Sequence, residues 1–298
     1  MQIPSKNING IKIPVFGIGT WMMGGGIYPD PSNDDEADIK SIRQAIELGV
    51  THIDSSEAYA DGCAEKLISK AIQGYPRNDL FLATKIWPLN LHYDDVIKSA
   101  HRSMERMEID YIDLYLIHYP SPDISIKESM AAFDFLKDKG LIKNIGLSNF
   151  SKDQFIEAQK HSKHKIIYNQ IHYNLIHKEY VKNSFLEYAK LNDIFIAAWR
   201  PLQGGTLVKK VPEIMEKMCK KYEKTPAQIA INWLISQKNV ITLAKSSDIS
   251  HLKDNLGALG WVIDEEDIKL LNEKYPAQKY HSDSTGVDIS ELTHVMHK

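Results

Sequence analysis

Four residues of this chain could, if gathered at one place, move a proton to or from an oxygen atom: Asp54, Tyr59, Lys85 and His118. A phenol has a reference pKa of about 10, too high to exchange protons freely near neutrality. An ammonium about 4 Å away favours the phenolate by roughly 4 kcal/mol at an effective dielectric near 20. That equals the work of lowering a pKa by about three units, at roughly 1.36 kcal/mol each. Lys85 is therefore expected to bring Tyr59 toward working range, provided that desolvation does not cancel the gain. Asp54 would keep the amine charged and in place, and His118 would hydrogen-bond and orient a substrate carbonyl. Tyr59 would then protonate an oxygen while another group delivers hydride to the carbon. Taken singly, each residue has a plainer role as a cap, a loop tether or a packing group. A rival chemistry makes Lys85 a Schiff-base nucleophile in a barrel lyase, which a neighbouring Asp54 would oppose by keeping the amine protonated.

These residues sit where short apolar runs end. Eight such runs read as strands: VFGIGT, THIDS, LFLATKI, YIDLYLIHY, IKNIGLS, IIYNQIH, IFIAAW and VITLAKS. Asp54, Lys85 and His118 close or nearly close the second, third and fourth. Ser148 and Asn149 end the fifth, Gln170 belongs to the sixth, Trp199 ends the seventh and Lys245 the eighth. Lysine and aspartate are costly to bury singly, so each is expected to have a partner. Between the strands lie helical patterns: DDEADIKSIRQAIELG, AEKLISKAIQG, DDVIKSAHRSMERM, IKESMAAFDFLKDKG, SKDQFIEAQKH, EYVKNSFLEYAKL and PAQIAINWLISQ, then DISHLKDNLGAL and DEEDIKLLNEKY. The first has acidic residues at its start and Gly49 at its exit, and Thr225-Pro226 has the form of an N-cap with proline at the first helical position.

Eight strand–helix alternations imply a parallel sheet with right-handed crossovers, and eight is the number at which such a sheet closes on itself. The fold class expected is therefore an α/β (β/α)8 barrel covering 1–298 as one domain, with active groups at the C-terminal ends of its strands. An open doubly wound sheet is the alternative. It calls for a glycine-rich phosphate loop leading into a helix, and GTWMMGGGIYP is not followed by one in the needed way. Asn9-Gly10 reads as a two-residue hairpin turn, so a small ribbon precedes the barrel. The tail from Pro276 onward is polar and irregular, and reads either as a loop over the barrel mouth or as disordered chain.

Composition narrows the classes further. With 43% hydrophobic residues the 298-residue chain can bury a large core, which argues against disorder. A net charge of −3 gives no support for nucleic-acid binding. Cys63 and Cys219 stand far apart without metal-ligand spacing, which suits a reducing, cytoplasmic compartment, and no metal is expected. The start MQIPSKNING lacks the apolar core of a signal peptide, and no run approaches the roughly 18 apolar residues of a membrane helix. The protein is expected to act on a small molecule as a monomer, or at most a weak homodimer.

The motifs resemble those of the aldo-keto reductases, from Gly19 to about Asn255. HIDSSEAYADGCAE resembles the segment with the catalytic aspartate and tyrosine, ATKIWP the lysine strand and LYLIHYP the histidine strand. IGLSNF and YNQIHYN match the segments whose Ser, Asn and Gln hold a nicotinamide. The resemblance implies a (β/α)8 barrel that binds NADP in extended form, without a Rossmann domain, and reduces aldehydes or ketones by hydride transfer. It makes Asp54, Tyr59, Lys85 and His118 the catalytic tetrad and places Gly19, Thr20 and Trp21 at the cofactor. Ser148, Asn149 and Gln170 would contact the carboxamide. Trp199 stands where the family usually stacks a tyrosine. Arg200 replaces a usual serine beside the pyrophosphate, where it would either pair with phosphate or point to solvent. Leu202, Gln203 and Gly204 would lie in the loop covering the pyrophosphate.

Within LAKSSDISHLKDN, Lys245 and Ser246 match the grip on the adenosine 2′-phosphate, and Asn255 matches the adenine contact. His251 falls where the family has arginine, and Asp254 where it has glutamate. An imidazole lacks the arginine fork and is half-charged near pH 6.5 as a residue type, so NAD remains open beside NADP. Preference for the phosphorylated cofactor is expected to strengthen as pH falls through about 6 to 7. Trp21, Trp87 and Tyr119 would line an aromatic substrate pocket suited to aldehydes of many shapes, and the tail KYHSDST points toward hydroxylated ones. The alternative function is a cofactor-binding regulatory barrel without turnover.

Overall fold

The computed structural model of the chain describes residues 2–182, 184–209, 211–246 and 248–276. The tail 277–298, with its expected place over the barrel mouth and its KYHSDST segment, lies outside the described residues. The chain opens with an antiparallel hairpin, β1 (Ser5–Ile8) and β2 (Ile11–Pro14), in which Ile8 pairs with Ile11. Asn9 and Gly10 form its turn with φ of 51° and 83°, the positive values that a two-residue turn of right-handed twist requires.

Eight parallel strands then close into a barrel. They are β3 (Phe16–Gly19), β4 (His52–Asp54), β5 (Phe81–Ile86), β6 (Ile112–Ile117), β7 (Ile142–Ser148), β8 (Ile166–His172), β9 (Phe195–Trp199) and β10 (Val240–Ala244), with β10 pairing back to β3. Outside lie α1 (Asp35–Glu47), α2 (Cys63–Ile72), α3 (Tyr93–Met107), α4 (Ile126–Asp138), α5 (Lys152–Lys160), α6 (Glu179–Lys182) and α7 (Phe185–Leu191). They continue as α8 (Thr206–Lys209), α9 (Glu213–Tyr222), α10 (Pro226–Ile235), α11 (Ile249–Leu256) and α12 (Glu265–Lys274). Two features depart from the sequence reading. The pattern at 179–191 divides into α6 and α7, and α8 and α9 are additional helices. In α9, Met215 and Met218 are buried one turn apart, yet lysines and glutamates crowd the segment and mask that stripe.

Helix ends follow their local chemistry. Asp34 caps α1 by accepting the Ala37 N–H, and Gly49 leaves the helix at φ 95°. Thr225 and Gln228 form a capping box at the start of α10, with Pro226 at its first position. Inside the barrel, Leu114, Leu116, Tyr168, Phe195, Ile241 and Leu243 form a packed core that Ile13 of the hairpin joins, so the ribbon stoppers the N-terminal end. Gly17 is required there, because a Cβ would stand 2.8 Å from both His52 and Leu243. Register aligns the opposite rim: Gly19 pairs with Asp54, Ser148 with Gln170 and His172 with Trp199. Among the described residues no helix is long and apolar enough to cross a membrane.

Candidate active site

Alternation along the strands turns Asp54 and Lys85 inward at the C-terminal rim, and there they meet. Lys85 Nζ donates to Asp54 Oδ1 at 2.6 Å and to the Ser55 carbonyl at 2.6 Å, and it lies 3.3 Å from Tyr59 Oη. The other carboxylate oxygen, Oδ2, accepts Gln170 Nε2 at 2.9 Å. The lysine is fully buried, with 0% exposure, so its charge depends on those neighbours. Burial alone would depress its pKa; the Asp54 carboxylate, with Tyr59, outweighs this and holds the ammonium above its usual value. A protonated amine ringed by three oxygens is no nucleophile, which sets the Schiff-base chemistry aside.

Tyr59 follows β4 in a short 3-10 turn, where Ala60 and Asp61 both take φ of 49°. That left-handed backbone is held by the preceding loop: the Ala60 N–H donates to Gly26 O at 2.7 Å and the Asp61 N–H to Ile27 O at 2.9 Å. Burial raises the phenol above its ordinary pKa, and the opposing pull of Lys85 does not overcome it. The expected lowering is thus cancelled by desolvation, and the phenol holds its proton at rest. His118 lies one residue past β6, and its ring packs edge-on to Tyr59 at 5.6 Å and to Trp87 at 5.4 Å. Tyr119 stacks on it at 4.9 Å. Burial, aided by the Lys85 charge, pushes His118 well below the usual imidazole range, so the ring is neutral. Its Nδ1 is 3.0 Å from Ser56 Oγ.

A cavity of about 1000 Å³ runs from these groups across the rim. Asn149 knits its floor, donating to the His118 carbonyl at 3.2 Å and to Ser148 Oγ at 3.0 Å while accepting Trp199 Nε1 at 3.2 Å. The Trp199 indole stacks on His172 at 4.3 Å and borders the cavity. Trp21, Trp87 and Tyr119 wall the end near Tyr59. Gly19 and Gln170 also line the cavity, and Arg200, Leu202 and Gly204 border its middle. Lys245, Ser246, His251 and Asn255 line the far end with Asp254, which accepts Gln228 Nε2 at 2.9 Å and Thr225 Oγ1 at 3.1 Å. Two expected cofactor residues stand behind the wall instead. Thr20 is fully buried, with its hydroxyl near Ser55 Oγ and the Asp54 carbonyl. The Gln203 side chain turns toward His172 Nε2 at 2.7 Å and Asn174 Nδ2 at 2.9 Å.

Some contributors carried no sequence signal. Val208 and Lys209 reach the cavity from the short α8. Others could have been found. Buried Glu57 sits two residues before Tyr59, where an acid is unexpected, and it accepts the Trp87 N–H at 2.8 Å and Asn90 Nδ2 at 2.9 Å. His172 lies inside YNQIHYN and supports the tryptophan. A flat indole at one end and Lys245 with the Ser246 hydroxyl at the other fit a long ligand with a ring and phosphates.

Comparison with known proteins agrees with this geometry. The family model described as "Aldo/keto reductase family" matches residues 15–276. The methylglyoxal reductase YeaE of Escherichia coli (strain K12) is 30% identical over 275 residues, covering 90% of this chain and 93% of that protein. The glyoxal reductase of Bacillus subtilis (strain 168) is 30% identical over 264 residues, covering 87% and 88%. Among solved structures, the thermostable aldo-keto reductase Tm1743, crystallised with the inhibitor epalrestat, superposes with a TM-score of 0.88. It is 36% identical and covers 91% of this chain and 99% of its own. An aldo/keto reductase from Klebsiella pneumoniae in complex with NADP and acetate gives a TM-score of 0.82 at 26% identity, covering 94% and 98%. On its sequence, its barrel and the charges at the barrel mouth, the chain belongs to the aldo/keto reductase family.

Proposed function

We propose that the protein is an NADPH-dependent carbonyl reductase whose best substrates are small α-oxoaldehydes of the methylglyoxal and glyoxal kind. The observation that carries the reading is the placement of Lys85 between Asp54 and Tyr59, with His118 against the same phenol. The nicotinamide, when bound, supplies the hydride. Ser148, Asn149 and Gln170 would hold its carboxamide and Trp199 its ring. Arg200, Leu202 and Gly204 would flank the pyrophosphate, Lys245 and Ser246 the 2′-phosphate, and Asn255 the adenine.

The chain's own residues account for the proton. Tyr59 Oη rests protonated in the buried wall and passes that proton to the oxygen of the carbonyl being reduced. Lys85 limits the energy of the phenolate left behind, since a full positive charge stands 3.3 Å away. Asp54, steadied by Gln170, keeps that charge in place. His118, neutral, meets the carbonyl oxygen and fixes its direction. Trp21, Trp87 and Tyr119 shed water from the reacting end, and a two- or three-carbon aldehyde asks for no further polar contact there. Cys63 and Cys219 are both free thiols, in keeping with a cytoplasmic setting.

The test is NADPH oxidation with methylglyoxal, glyoxal and larger aldehydes. Steady turnover is expected with the small dicarbonyls, whereas cofactor binding without turnover would support the regulatory barrel. Tyr59→Phe should lower turnover at least about a thousandfold while NADPH binding, read by fluorescence, persists. Appreciable residual turnover would contradict the phenol as proton donor.

A further inference from the structure

Ser56 is fully buried two residues beyond Asp54, and no task in the reading above falls to it. Its hydroxyl oxygen accepts the Ala58 N–H at 3.2 Å and lies 3.2 Å from the Lys85 carbonyl and 3.0 Å from His118 Nδ1. A hydroxyl has one proton and can donate to only one of those two acceptors. The Lys85 carbonyl is already supplied, since it accepts the Glu57 N–H at 3.1 Å. Among the described residues, Ser56 Oγ is the only hydrogen-bond partner of His118 Nδ1.

We propose that Ser56 is a positioning residue that selects the tautomer of His118: its hydroxyl donates to Nδ1 and confines the ring's single proton to Nε2. That nitrogen lies on the ring edge turned away from Ser56, where a carbonyl oxygen must find a donor. With the serine proton turned to the Lys85 carbonyl instead, Nδ1 would carry the ring proton. Nε2 would then oppose the substrate oxygen lone pair to lone pair. The selection matters because His118 is neutral; an imidazolium would donate from both nitrogens whatever its neighbour did. The Ala58 N–H anchors the hydroxyl oxygen, and the stacked Tyr119 and edge-on Trp87 hold the ring plane, so the remaining freedom is the position of one proton. The inference rests on the reductase reading for its consequence, but not for its geometry.

Ser56→Ala removes the hydroxyl with almost no change of volume. The ring protons of His118 are read by long-range proton–nitrogen correlation spectra of labelled protein, with the signal identified by its loss in His118→Gln. In the unaltered protein His118 is expected to be protonated at Nε2, and in Ser56→Ala to shift toward a mixture of tautomers. Turnover should fall about five- to tenfold, the rate equivalent of one neutral hydrogen bond, with the KM for NADPH unchanged. Ser56→Thr, which keeps the hydroxyl, should restore both. A His118 protonated at Nδ1 in the unaltered protein would overturn the proposal, as would a Ser56→Ala spectrum identical to it. The spectra need neither turnover nor the threonine variant, so an inactive wild-type protein would count against the reductase reading alone.

Discussion

The barrel draws in a lysine at each end, Lys85 fully buried and Lys6 half-buried, and the two amines are handled in opposite ways. At the open mouth Lys85 lies 2.6 Å from the Asp54 carboxylate, and its pKa is held above the usual value. At the stoppered end Lys6, on the hairpin strand β1, donates to the backbone carbonyls of Ile235 and Gln237 just where α10 finishes. Among the described residues no carboxylate offsets its desolvation, and burial brings its pKa down to about 7. Both sites set an amine among oxygens. What separates them is a full negative charge against partial ones, so the partner rather than the depth decides whether the proton stays. The mouth needs a permanent cation beside Tyr59; the stopper needs only a tether between the ribbon and a helix end.

The strongest way to break this contrast is Lys85→Met. It deletes the cation beside the phenol and leaves Asp54 buried with only Gln170 as donor. Turnover is expected to fall at least about a thousandfold, and stability by about 3–5 kcal/mol, since half of a buried ion pair is left behind. NADPH oxidation and urea unfolding measure the two separately. A folded variant with near-normal turnover would mean that the charge is not what equips Tyr59.

Lys245, one residue past β10, is a third case, exposed at the far end of the cavity. Burial of part of its stem lowers its pKa, while Asp38 pulls the other way. Among the described residues it has neither the close carboxylate of Lys85 nor the carbonyl clasp of Lys6, so its partner is expected to be a phosphate brought by the ligand. Lys245→Met should then raise the KM for NADPH by about ten- to a hundredfold, the range of one charge-assisted hydrogen bond, and leave NADH nearly untouched. Equal losses with both cofactors would show that the amine serves the general shape of the site and not the 2′-phosphate.

How much of this was legible before folding depends on the distance over which each property is set. The eight strands could be read because Ile, Val and Leu cluster in short runs, and the meeting of Asp54, Lys85 and His118 at one rim could be read because strand ends collect them. Partner choice could not. Ser56 and His118 are 62 positions apart, and only closure of the barrel brings them together. Thr20 and Gln203 belong to segments that do border the cavity, but their side chains turn to partners behind it, Ser55 and His172, which no local pattern names. The state of Tyr59 failed for a related reason. The attraction of Lys85 can be reckoned from a distance and a dielectric constant, whereas the opposing desolvation depends on what covers the phenol.

The smallest expected effect sharpens the contrast at the stoppered end. In the folded protein Lys6 loses its proton near pH 7, whereas a lysine in the unfolded chain keeps it to about 10.5. Between those values the unfolded state binds one more proton than the folded state, so stability rises with pH across the window. Below about pH 7 both states are protonated and the penalty of burying the charge is complete. Lys6→Met removes this dependence, so the stability of the unaltered protein relative to the variant should grow from pH 6.5 to pH 9.5. The full window would correspond to about 5 kcal/mol, but part of the stem meets solvent and two carbonyls favour the ammonium, so about 1–2 kcal/mol is expected. Urea unfolding of both proteins at the two pH values supplies the measurement, and reductase turnover should be unaffected because Lys6 lies at the opposite end from Tyr59. A stability difference flat with pH would mean that two carbonyl dipoles hold a buried ammonium as firmly as Asp54 holds Lys85, and the distinction between the two ends of the barrel would vanish.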